Sequence, residues 1–164
     1  MNTAPQEIAS IEIESLPAAT GHTERRPGAS GELSRSVQGG IDAPGELASV
    51  RIQLPDAGRY AVSLVASGDV AGAGVLVQAL RSRGLDVLAE RFVRLPTRDI
   101  SVRFDTAEPE AITVRVAWDG AGTMSADRIA VVRAPARADS VERGKPLTVA
   151  CLGDSITALS GYPA

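Results

Sequence analysis

The sequence is poor in the residues that most small reactive sites are built from. Cysteine occurs once, as Cys151, and histidine once, as His22. The chain therefore forms no internal disulfide and has no Cys/His set able to ligate zinc. Lysine occurs only at position 145, and the remaining positive charge is scattered arginine within a formal net charge of -3. Without a basic stripe there is no electrostatic footprint for nucleic acid, so such a partner is not expected. The first ten residues lack a basic segment followed by an apolar one, and no later run reaches the length of a membrane span. Taken literally this predicts a cytoplasmic protein, or a secreted one if a leader lies upstream. Aromatic residues are limited to one Trp, two Tyr and two Phe, which leaves few rings to stack against a ligand.

What is present is the composition of a folded protein: 44% apolar and 23% charged residues over 164 positions. That length holds one domain plus a fragment of a second. Between residues 11 and 134 apolar residues recur with period two, in short runs separated by Gly, Pro and Asp clusters. This is the pattern of an all-β sandwich. Strands are predicted at 11–16, 47–54, 59–67, 75–81, 87–95, 100–105, 111–118 and 127–134, a set that suits a jelly roll. Ala48, Val50, Ile52 and Leu54 alternate with Ser49, Arg51 and Gln53, and Ile112, Val114, Val116 and Trp118 alternate with Thr113, Arg115 and Ala117. The first set of each pair is predicted to face the core, Trp118 included. The turns at 55–58 and 119–122 have hairpin chemistry. Residues 17–46 read as a polar surface loop holding His22 and a short strand near 34–38. Glycines between 68 and 74 lack the Gly-Lys-Ser/Thr ending of a phosphate cradle and read as a loop.

After residue 134 the pattern changes. Residues 135–146 have almost no apolar periodicity and read as a linker. Leu147, Thr148, Val149, Ala150, Cys151 and Leu152 then form a continuous apolar run, as in a strand buried on both faces, followed at once by Gly153, Asp154 and Ser155. A nucleophilic serine works well on such a turn, where its hydroxyl is exposed and backbone N–H groups face a developing oxyanion. The plain alternative is a strand-to-turn junction with a surface serine.

The string LTVACLGDSIT resembles the first conserved block of the GDSL (SGNH) hydrolases. The resemblance implies Ser155 as nucleophile and oxyanion donor, with Asp154 and Gly153 as positioning neighbours; Leu159 stands where many members have glycine. On this reading residues 1–134 form a β-sandwich accessory domain, 135–146 a linker and 147–164 the start of a truncated α/β/α hydrolase domain. The family draws further oxyanion donors from a later glycine and asparagine, and its base from a histidine three residues after an aspartate. Here the only asparagine is Asn2 and Ala19 stands three residues before His22. A serine without a base is a weak nucleophile, so this chain is expected to be inactive toward the acyl or acetyl esters, of carbohydrates among others, that a complete enzyme would cleave.

More loosely, residues 1–134 resemble the jelly-roll carbohydrate-binding modules and esterase accessory domains, on the strings IEIES, LPDAGRYAVSL and ADRIAVVRA. The alternative to the esterase is thus a stand-alone carbohydrate-binding or interaction module. The resemblance implies Glu12, Glu14 and Asp127 as ligands of a structural calcium, oxygen donors being suited to a hard cation. Alternation of Glu12 and Glu14 equally marks a solvent face. No other cofactor is implied.

Overall fold

Residues 4–66, 72–83, 86–96 and 100–135 are described by a computed structural model. Among the described residues ten strands form two antiparallel sheets: β1 (Gln6–Glu12), β2 (His22–Arg25), β3 (Leu33–Gln38), β4 (Gly45–Leu54), β5 (Gly58–Ala66), β6 (Gly74–Arg81), β7 (Val87–Arg94), β8 (Ser101–Thr106), β9 (Glu110–Trp118) and β10 (Thr123–Arg133). One sheet has six strands, in the order β2-β3-β10-β5-β8 with β1 also paired to β10, and the other has four, in the order β4-β9-β6-β7. Among the described residues no helix is long and apolar enough to cross a membrane.

The alternation seen in the sequence builds the core between the sheets. Val75, Val77, Ile112, Val114, Val116 and Trp118 of one sheet meet Tyr60, Val62, Val102, Ile129 and Val131 of the other, all buried. Burying each such side chain is worth about 1.5–3 kcal/mol. Trp118 fills the core as expected and donates its indole N–H to the Ala121 carbonyl at 2.9 Å, so its one polar atom is satisfied. Tyr60 stacks on Phe104 with centroids 6.0 Å apart, and its hydroxyl donates to the Asp56 carbonyl at 2.7 Å.

The expected strands from 47 to 134 are all present, with shifts of a few residues at their ends. Three expectations need correction. The turns at 55–58 and 119–122 are not hairpins: β4 and β5 lie in different sheets, as do β9 and β10. Turn chemistry tells where a chain bends, whereas which sheet receives the next strand is decided by packing. The strand expected at 11–16 is displaced, since β1 ends at Glu12 and a 3-10 turn occupies Ile13–Ser15. The cause lies in β10, whose residues 128–133 pair with β1 while 123–126 pair with β3 on the same edge. β1 must therefore leave the sheet at Glu12 to make room. Finally, His22 is not in a loop but begins β2, which pairs with β3 from His22↔Ser36 to Arg25↔Leu33.

The linker from 136 onward and the whole of 147–164, including Gly153, Asp154 and Ser155, lie outside the described residues.

Candidate functional site

The outer face of the four-stranded sheet carries the most exposed aromatic ring among the described residues. Register places Glu46, Ala117, Leu76 and Phe92 side by side across β4, β9, β6 and β7, and Ser49, Arg115, Gln78 and Glu90 in the next row. Arg115 pairs with Glu46 of the adjoining row at 2.8 Å, and within the polar row Gln78 donates to Glu90 at 2.8 Å. Phe92 is 54% exposed, although period-two alternation on an edge strand would allow either a core or a surface position.

A compact polar cluster holds that ring in place. The Arg94 guanidinium lies over the Phe92 ring, 5.6 Å from its centroid, a favourable contact of the cation with the ring's negative face. Arg94 also donates to the Asp119 carboxylate at 3.0 Å. The other oxygen of Asp119 accepts the backbone N–H of Gly74 at 3.0 Å and of Ala121 at 2.9 Å. Burial alone would raise the Asp119 carboxyl, but the N–H donors of Ala121 and Gly74 and the charge of Arg94 together outweigh it and hold it below the usual carboxylate range. Glycine is required at position 74, because a Cβ there would lie 2.1 Å from Asp119 Oδ2 and 2.6 Å from Phe92 Cζ. The sequence offered one signal for this cluster, the Asp-Gly turn after Trp118, but it read there as turn chemistry alone.

The other sheet bears a second polar network. Glu24 accepts hydrogen bonds from the Ser36 hydroxyl and from Arg26, the latter at 2.8 Å, and lies 3.7 Å from His22. The Ser36 hydroxyl, then Arg26, lower the Glu24 pKa against a smaller opposing effect of burial, with the charges of Arg26 and His22 adding to the fall. Ser36 also meets Ser125 at 2.7 Å, and these groups line a cavity of about 210 Å³.

The residues expected to bind calcium are brought together only in part. Glu12 accepts a hydrogen bond from the Ser30 hydroxyl at 2.6 Å, and buried Asp127 accepts the Ser30 N–H at 2.9 Å, so these two carboxylates meet across one serine. Glu14 sits in the 3-10 turn instead of on the strand, and its charge acts on Arg35. That buried guanidinium donates to the carbonyls of Leu47 at 2.9 Å and Leu16 at 2.7 Å. Oε2 of Glu12 and Oε2 of Glu14 are buried without a hydrogen-bond partner, which is the donor chemistry a hard cation takes. Among the described residues, no three His, Cys, Asp or Glu side chains are gathered into one set able to hold a metal ion.

No protein-family model and no curated sequence matches the chain. Its fold, however, is similar to that of the carbohydrate-binding module CBM6cm-2 of lichenase 5A from Cellvibrio mixtus, solved with cellotriose: 14% identity, TM-score 0.53, covering 77% of this chain and 97% of that one. It is also similar to TmCBM61, solved with β-1,4-galactotriose, at 18% identity and TM-score 0.51, covering 76% of this chain and 87% of that one. At these identities the likeness defines the fold, a jelly-roll β-sandwich of the carbohydrate-binding-module type.

Proposed function

We propose that the sandwich is a carbohydrate-binding module that stacks a neutral sugar ring on Phe92. The observation that carries this reading is a ring 54% exposed yet anchored by Arg94, beside a carboxylate fixed by two backbone N–H groups. An apolar platform next to oriented polar groups is what a sugar needs, since pyranose faces are apolar and their rims carry hydroxyls. The fold likeness to modules solved with oligosaccharides supports the same reading, although fold alone does not fix a ligand. A single exposed platform predicts weak binding. Titration of the chain with cellotriose and with β-1,4-galactotriose, followed by calorimetry or NMR, tests it. Phe92→Ala should weaken binding of whichever sugar binds by about tenfold, and an unchanged affinity would remove Phe92 from the site.

A second reading rests on the string around Gly153, Asp154 and Ser155, with Ser155 as the nucleophile of an ester hydrolase. The 164 residues supply no histidine other than His22 to serve as its base, so the expected result is equal background cleavage of an acetyl ester by this chain and by its Ser155→Ala variant. Serine-dependent turnover would show that a base is recruited from elsewhere.

We further propose that Glu12 and Asp127 contribute to a structural calcium site, with Glu14 outside it. Support comes from the meeting of Glu12 and Asp127 on Ser30 and from Oε2 of Glu12, buried without a donor. A melting temperature that rises with millimolar calcium over EDTA, and no longer does so in Glu12→Gln, is the expected result; identical melting in both solutions argues that no ion binds.

A further inference from the structure

A cavity lined by described residues lies at the far end of the four-stranded sheet from Asp119, and the function proposed above does not use it. It measures about 550 Å³ and is lined by Arg51 and Gln53 of β4, Arg81 and Arg83 at and beyond the end of β6, and Glu108 and Glu110 at the β8–β9 turn. Topology brings these together. Arg51 and Gln53 are the outward residues of β4, paired with Thr113 and Ala111 of β9. β6 pairs with the other edge of β9 through Arg81↔Ile112, and the Ser82 N–H continues that ladder to the Ala111 carbonyl at 3.1 Å.

The charges of the cleft do not cancel. Arg81 pairs with Glu110 at 3.2 Å, and Glu110 keeps only 16% of its side chain exposed, so this pair is a fixed part of the wall. Of the remaining lining charges, Arg51 and Arg83 are cationic and Glu108 is anionic, and among the described residues none of these three side chains makes a hydrogen bond or ion pair. Two guanidiniums without partners, each a planar fork of N–H donors, match the geometry of a carboxylate. The volume is in the range that accepts a small ligand and exceeds what a bare inorganic anion fills. Gln53 and Glu108 add a donor and acceptors suited to hydroxyl groups.

We propose that this cleft is a second binding site, for a carboxylate-bearing sugar of the uronic acid class, in which Arg51 and Arg83 take the carboxylate while Gln53 and Glu108 take ring hydroxyls. It is separate from the Phe92 platform and does not depend on it. Steering by the two cations makes the interaction sensitive to ionic strength.

The test is NMR titration of the ¹⁵N-labelled chain with glucuronic acid and, in parallel, with glucose, following the arginine Nε–H resonances. Glucuronic acid should move the Arg51 and Arg83 signals and bind at least about tenfold more tightly than glucose, with the preference shrinking as salt rises. Arg51→Gln and Arg83→Gln alter exposed side chains and should each lower the affinity about tenfold while leaving the backbone spectrum in place. Phe92→Ala should leave this binding unchanged, which separates it from failure of the neutral-sugar site. Equal binding of the acidic and the neutral sugar, no binding of either, insensitivity to the arginine substitutions, or full displacement by equimolar inorganic phosphate would each overturn the proposal.

Discussion

Substituting Gly74 by alanine should destabilise the domain by about 2–4 kcal/mol, through a clash that can be traced atom by atom. The added Cβ would sit 2.1 Å from Asp119 Oδ2, 2.5 Å from Asp119 Cγ and 2.6 Å from Phe92 Cζ. Ordinary van der Waals contact requires the carboxylate to retreat by about 1.3 Å or more. It has little freedom to do so, because Oδ1 accepts from Gly74 and Ala121 and Oδ2 from Arg94, all within 2.9–3.0 Å. Losing one hydrogen bond to a charged group costs about 1.5–3 kcal/mol, and overpacking about 1–3 kcal/mol. Alanine restricts the unfolded chain and returns about 0.4–1 kcal/mol. Urea denaturation should therefore show the midpoint fall by about 1–2 M at unchanged slope. The decisive measurement is a double-mutant cycle: in an Asp119→Ala background the same substitution should cost less than about 1 kcal/mol. A loss below about 0.5 kcal/mol in the native background, or equal losses in both, would refute the reasoning.

Other outcomes follow from the same geometry. Asp119 and Glu24 have lowered folded-state pKa values, so each contributes stability that is fully present above the unfolded carboxylate range near about pH 4 and is lost as pH falls through the folded value. Asp119→Asn should accordingly flatten the fall in melting temperature below about pH 4, and an unaltered acid limb would show that the carboxylate charge plays no part. Arg35→Met leaves the buried carbonyl of Leu47 and the half-buried one of Leu16 without their donor and should cost about 2–4 kcal/mol in chemical denaturation; a neutral result would mean that water replaces the guanidinium. Val114→Ala, at a fully buried position between the sheets, should cost about 1–3 kcal/mol, whereas Arg115→Ala on the opposite face of β9 should stay within about 1 kcal/mol because its pair with Glu46 is exposed. A reversal of that order would contradict the assigned faces.

The β-sandwich and its inner faces were legible in the sequence because each depends on local information. Alternation along 47–54 and 111–118 assigns Ile52, Leu54, Val114 and Trp118 inward whatever the partner strand, and Gly, Pro and Asp mark the bends through their own backbone preferences. The serine block at 153–155 is a pattern of consecutive residues that lies outside the described part of the chain. Tertiary structure alone decided the rest. It sent β4 and β5 to opposite sheets, and it split the edge of β10 between β1 and β3, which ended β1 at Glu12 and left Glu14 in the 3-10 turn. It gathered Gly74, Phe92, Arg94 and Asp119 into one cluster, and Arg51, Arg83 and Glu108 around one cleft. Strand pairing and sheet choice are set by contacts between residues tens of positions apart, and periodicity within a strand carries no record of which strand lies beside it.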